Sequence, residues 1–209
     1  MISFSDHFFF YPCPHNAKDQ LCKLDNIIIS TSSDPLACIV ISDISIRNYI
    51  ATSVLHVHSF NWPIIKTCHQ AINMSTIEAE LFAIRYGINQ VISILHIKYI
   101  VVITDSLHAA KKIFNSLSHP YQIHSAAITC ELREFFNKYT NNHIKFWDCP
   151  SKENWWLYLA VDKDTRSFET SVYFPWKSSW NFCKKHFSDN IVLQWKTLFQ
   201  TSDLVTTLS

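Results

Sequence analysis

The order of apolar patterns along the chain predicts an α/β fold, a mixed sheet with helices packed on its faces. Two observations predict it. Three strand-like runs follow one another through short connections, which implies an antiparallel meander. A strongly periodic segment then follows, and after it short apolar runs alternate with helical patterns.

Residues 1–25 carry two prolines and mixed polar residues without a clear period, and they read as a linker or the truncated end of an upstream segment. Ile27, Ile28 and Ile29 suit a strand extension or a docking contact. Residues 36–46 form the first strand candidate, with an apolar centre from Ala37 to Ile41. Residues 49–57 alternate well enough for a second. Residues 64–72 suggest a third, with Pro63 at its start, where a missing amide is tolerated. Ser75 and Glu78 have the spacing of a capping box. Ile77, Leu81, Ile84, Ile88 and Val91 then recur at helical spacing, to about Leu95. Residues 99–103 are a short apolar strand, buried on both faces and hence central. Helices are expected over 106–116 and 124–139, a fifth strand over 144–147, and a helix over 154–168. Residues 169–209 read as an aromatic-rich C-terminal extension with a helix over 188–200.

Composition excludes several classes. The chain of 209 residues is 48% hydrophobic, ample for a packed core and too rich for general disorder. Its net charge of +1 leaves no basic block, so any grip on nucleic acid must come from local patches. Gly87 is the single glycine, which excludes a phosphate-cradling glycine-rich loop and leaves turns to Asn, Asp, Ser and Pro. The seven cysteines form no Cys-x-x-Cys pair. Their odd number, without a signal peptide, favours a reducing compartment, so the chain is expected to be intracellular, in cytoplasm or nucleus, and not secreted. Cys183 and His186 have metal-compatible spacing, but no second pair completes the four ligands of a zinc site. No stretch approaches the ~20 apolar residues of a membrane span.

Four carboxylates remain to be explained. Asp43 ends the apolar run of the first strand and shares parity with Ile39 and Ile41, so it points to the packed side; a turn residue before Ile44-Ser45 is the plainer reading. Glu80 falls on the apolar stripe of the long helix, three residues after Ile77 and four before Ile84. Glu78 is explained by capping. Asp105 follows the central strand, where ligands collect in open α/β sheets; it could equally cap the helix beginning at Ser106. Asp162 lies in the last helix, and Asp164 stands roughly 200° around from it at ~3.6 residues per turn. Buried carboxylates are costly unless paired or bound to a cation. Hard divalent ions such as magnesium take oxygen ligands, and two held close together serve phosphodiester hydrolysis.

These contexts resemble the type 1 ribonuclease H domain, and specifically that of LINE-like (non-LTR) retrotransposon reverse transcriptase polyproteins. Asp43-Ile44-Ser45 stands where the family has Asp-Gly-Ser. Ala79-Glu80-Leu81 matches its Ala-Glu-Leu, and Thr104-Asp105-Ser106 with Ala109 matches its Thr-Asp-Ser-x-x-Ala. Trp147, Pro150-Ser151 and Ala160-Val161-Asp162 look like its loop and closing Asp.

The resemblance spans about residues 36–168 and places the domain at 26–168. It implies a ribonuclease H-like fold with a five-stranded sheet, three antiparallel strands then two parallel. It implies an endonuclease cutting the RNA strand of an RNA–DNA hybrid, acting alone or within a larger polyprotein. Asp43, Glu80, Asp105 and Asp162 would hold two magnesium ions, with manganese as a substitute. Ser45, Asn73, Lys111, Lys112 and Lys152 are candidate substrate contacts.

Two departures imply an impaired enzyme. Lys152 replaces the loop histidine that assists proton transfer and product release. Ile44 replaces a glycine where the RNA backbone approaches closely. The rival readings are a non-catalytic nucleic-acid-binding or interaction module on the same fold, and an integrase-like nuclease, which the Asp–Glu–Asp order of the acidic residues disfavours.

Overall fold

Side-chain alternation along the strands sorts the apolar residues into two cores with the sheet between them. The computed structural model describes residues 7–12, 17–47, 50–59, 62–72, 74–94, 96–113, 122–138, 141–150 and 154–167. The elements are β1 (Phe8–Tyr11), α1 (Ala17–Ser32), β2 (Ala37–Arg47), β3 (Ile50–Ser59), β4 (Trp62–Ile72) and α2 (Thr76–Ile92), then β5 (Tyr99–Thr104), α3 (Leu107–Ile113), α4 (Gln122–Lys138), β6 (His143–Asp148) and α5 (Trp156–Ser167). The sheet order is β1-β6-β5-β2-β3-β4. β2, β3 and β4 form the antiparallel meander, while β5 pairs parallel with β2, and β6 parallel with β5.

On one face Cys38, Val40, Ile100, Val102, Ile144 and Phe146 meet Leu81, Ile84 and Ile88 of α2, with Ile113 of α3 and Ile128 and Leu132 of α4. On the other, Ile39, Ile41, Val54, Val101 and Ile103 meet Leu24 of α1 and Leu157, Tyr158 and Val161 of α5. Even and odd positions of β2 and β5 thus serve different cores. The central strand is buried on both faces, as its unbroken apolar run requires. The long helix opens on the expected capping box, with Ser75 Oγ accepting from the Glu78 amide and the Glu78 carboxylate accepting from the Ser75 amide. Pro63 lies on the edge strand β4, where its missing N–H breaks no interior ladder.

The expectation for residues 1–25 is corrected. Residues 8–11 form a sixth strand, parallel to β6, and residues 17–32 form a helix. His7 Nδ1 donates to the Asn142 carbonyl at 2.8 Å, and Phe10 stacks on Phe146. Leu24 is fully buried. Asp25 accepts from the indoles of Trp155 and Trp156 at 2.9 and 3.3 Å. The Ile27–Ile29 run is helical as well. Leu21, Leu24 and Ile28 fall on one helical stripe toward the second core, and that burial outweighs the strand preference of β-branched residues.

With one glycine in the chain, two turn positions at positive φ are filled by His96 (79°), between α2 and β5, and Asn154 (49°), just before α5. Both residue types tolerate this region better than most. The extension over 169–209, with its expected helix, lies outside the described residues. Among the described residues no helix is long and apolar enough to cross a membrane.

If β1 belongs to the domain, Phe10→Ala destabilises it by about 2 kcal/mol, less than the 3–5 kcal/mol typical of fully buried phenylalanines because Phe10 is half-buried. Urea melts followed by circular dichroism measure this. A loss below about 0.5 kcal/mol would mean that the first strand contributes nothing to stability.

Candidate active site

Parallel pairing brings the points where the β2–β5 and β5–β6 ladders finish to the same end of the sheet. Ile41 is level with Ile103, so Asp43 and Asp105 each lie two residues beyond a matched pair. Thr104 is level with Asp148, which adds a third carboxylate there. Asp105 is not the helix cap. The Ser106 carbonyl accepts from the Ala110 amide, so Ser106 flanks α3 and Asp105 is left to face the strand ends.

Asp43 points toward α5, as its parity with Ile39 and Ile41 requires. The Tyr158 hydroxyl donates to Asp43 Oδ1 at 2.7 Å and lies in the neighbourhood of Asp105. Glu80 comes from the first turns of α2 and is buried. Burial pushes its carboxyl up to about 9, and the charges of Asp105 and Asp43 push the same way. Burial also raises Asp43 to about 6; Tyr158 opposes this, while Asp105 and Asp162 add to it. Asp105 is raised by burial, with Asp148 and Asp162 adding and Tyr158 opposing. Burial and the two carboxylates raise Tyr158 too, so its hydroxyl stays a proton donor. Asp43, Glu80, Asp105 and Asp162 therefore lie within one electrostatic neighbourhood.

The alternative acidic residues are turned elsewhere. Glu78 serves the cap, and Asp164 bonds the buried His56 at 2.8 Å. Asp162 accepts from Arg166 Nε at 2.8 Å, an exposed i,i+4 pair. Ser45 is half-buried on β2 with the parity of Asp43. Lys111 and Lys112 fall in the last turn of α3, the first exposed and the second half-buried. Asn73 and Lys152 lie outside the described residues. Ile44 does not share the face of Asp43. Its half-buried side chain packs toward Ala79 and Phe82 of α2.

Sequence reasoning missed Tyr158 and Asp148. Tyr158 stands four residues before Asp162, hence on the same helix face. Asp148 ends β6 as Asp105 follows β5. Both signals were readable once the carboxylates were in view.

Asp105 Oδ1 and Glu80 Oε2 are buried without a hydrogen-bond partner among the described residues. Such atoms are rare in folded proteins and suit a ligand that supplies positive charge. The donors are hard oxygens, the kind that magnesium and manganese take. By chemistry they fit a divalent cation. Their placement does not yet gather them. Among the described residues no three His, Cys, Asp or Glu side chains are close enough together to hold a metal ion.

No family model matches the chain, and no curated protein matches it. Solved structures of similar fold include the N-terminal ribonuclease H domain of a Mycobacterium tuberculosis protein, fused to maltose-binding protein, at 13% identity and TM-score 0.45 over 55% of this chain and 87% of that one. Ribonuclease H1 of the halophilic archaeon Halobacterium salinarum is similar at 13% identity and TM-score 0.39, over 53% and 83%. The protease-reverse transcriptase of prototype foamy virus is similar at 12% identity and TM-score 0.47, over 68% of this chain and 22% of that one.

The raised carboxyls fix the sign of a pH dependence. Between the ordinary Glu value of 4.5 and about 9, the folded cation-free chain keeps a proton on Glu80 that the unfolded chain releases. Stability therefore falls as pH rises through that window. Asp43 contributes the same sign between 3.8 and about 6. Glu80→Gln flattens the profile and is the more stable protein at about pH 8. Denaturant melts from about pH 5 to about pH 8.5, with cations chelated, measure it. A wild-type profile flat across that range would contradict the burial of an unneutralised Glu80.

Proposed function

We propose that this chain is a divalent-cation-dependent ribonuclease that cuts the RNA strand of an RNA–DNA hybrid. The observation that carries the reading is the alignment of Asp43 and Asp105, each two residues beyond the last matched pair of the parallel β2–β5 ladder, with the buried Glu80 in the field of both. These residues, with Asp162, are those that the sequence motifs single out. Glu78 and Asp164 have other partners. The finer assignment, to a LINE-like retrotransposon polyprotein, rests on the motif resemblance.

Asp43, Glu80, Asp105 and Asp162 would hold the cations, magnesium or manganese. When bound, the cations supply an activated water and stabilise charge on the leaving 3′ oxygen. The chain's own residues do the rest. Glu80 keeps its proton in the cation-free fold and brings a buried oxygen that still lacks a partner. Among the described residues Asp162 is tied by an exposed pair with Arg166 of the kind worth about 0.3–0.5 kcal/mol, so turning toward the cluster is cheap. Ser45, on the face of Asp43, and Asn73 are candidates by their position in the sequence to meet 2′-hydroxyls in the hybrid's shallow minor groove. Lys111 and Lys112 would meet phosphates.

One observation favours the second reading, a non-catalytic nucleic-acid-binding module. The carboxylates are not gathered into a ready metal site among the described residues.

Magnesium-dependent cleavage of a labelled hybrid, compared with single-stranded RNA and duplex DNA, separates the two. The expected result is cleavage of the hybrid alone. Asp105→Asn abolishes it, because an amide cannot supply the charge that holds magnesium. Lys152→His, which restores a proton-transfer group, raises the rate by roughly tenfold or more. Hybrid binding without cleavage, and without magnesium uptake at concentrations on the order of millimolar, would remove the nuclease reading in favour of the binding module.

A further inference from the structure

Tyr158 has no place in the motifs, yet its hydroxyl is bonded to a carboxylate of the candidate site. It donates to Asp43 Oδ1 at 2.7 Å, and Asp105 is near enough for its charge to act on the hydroxyl. The residue is 6% exposed, and its ring packs with Ile39, Ile41, Leu157 and Val161. The aromatic body is therefore explained by the core. The hydroxyl is not. An O–H carries one proton and serves one carboxylate oxygen at a time. Asp105 Oδ1 and Glu80 Oε2 stay without a partner among the described residues. The hydroxyl thus quiets part of the cluster and leaves the rest unsatisfied.

We infer that Tyr158 is a resident competitor for the divalent cation, a positioning residue whose hydroxyl holds Asp43 in an arrangement that a cation must break to bind. The inference rests on the nuclease reading of the site and adds to it a built-in control of metal uptake. It accounts for two facts together. The donors are right for a divalent ion in kind, yet they are not gathered for one. A phenol donating to a buried carboxylate opposes a cation that needs the same lone pair, because a charge-assisted hydrogen bond must be lost on binding. The cation satisfies several oxygens where the hydroxyl satisfies one, so exchange remains favourable at sufficient metal concentration. The same exchange frees the hydroxyl for another acceptor.

Tyr158→Phe isolates the hydroxyl, since the ring stays in the core. The experiment measures manganese binding to the full chain by the spectroscopic signal of free manganese, and magnesium binding by calorimetry, for wild type, Tyr158→Phe and Asp105→Asn. Circular dichroism melts establish that each is folded. Losing one charge-assisted hydrogen bond on binding weakens affinity by roughly tenfold or more. Tyr158→Phe is therefore expected to bind both ions about tenfold more tightly than wild type, and Asp105→Asn to bind neither. Binding by Tyr158→Phe alone would support the inference still more strongly. Equal or weaker affinity in Tyr158→Phe, with binding lost in Asp105→Asn, would overturn the inference while the metal site stands. If neither wild type nor Tyr158→Phe takes up either ion, the metal site itself is wrong and the inference falls with it.

Discussion

Three adjacent strands run the same way, and that direction governs the chemistry. Parallel pairing of β2, β5 and β6 carries the residues at and just beyond the finish of their shared ladders to one end of the sheet, whatever lies between them in sequence. Asp43, Asp105 and Asp148 arrive there together, and the first turns of α2 add Glu80. Carboxylates crowded in a desolvated space raise the free energy of their own ionised forms. The molecule answers with protons, with the phenol of Tyr158 and with the outward turn of Asp162 to Arg166. Each relieves part of the strain that strand direction imposes. A divalent cation would relieve more of it than any of them.

Much of this was legible in the residues. The two-residue parity of β2 is enough to send Asp43 to the side of Ile39 and Ile41. The Ser75–Glu78 spacing is enough to separate a capping glutamate from Glu80. The unbroken run at the centre of β5 is enough to make it an interior strand. These readings succeed because each depends on a short-range period. The N-terminal segment failed for the opposite reason. Phe8–Tyr11 is too short to announce a strand, and it becomes one only because β6 offers an open parallel edge. The isoleucines at 27–29 favour a strand locally, and only the second core makes them helical. The role of Tyr158 was hidden differently. Its spacing from Asp162 puts it on the same helix face, but only the fold sets Asp43 opposite and gives the hydroxyl its acceptor.

Ile44 shows how one departure from a motif can be absorbed. A glycine at that position would leave space beside Asp43. Here the side chain turns to the opposite face and fills a small cluster with Ala51, Met74, Ala79 and Phe82. The substitution becomes packing for α2, the helix that carries Glu80. The scarcity of glycine is met in a similar way at Asn154 and His96, which take left-handed turns themselves. Asn154 does so immediately before the helix that holds Tyr158 and Asp162.

That last helix is fixed at two points. Trp155 and Trp156, at its start, bond Asp25 of α1, and Asp164, near its end, bonds the buried His56 of β3. A rod held at both ends can neither slide along its axis nor swivel about one anchor without releasing the other. Whatever rearrangement the carboxylates undergo must then come from torsions of individual side chains, over a few ångströms, and not from travel of the helix. The backbone and the buried ring of Tyr158 act as a fixed frame, and the moving parts are the Tyr158 O–H and the arms of Asp162 and Arg166.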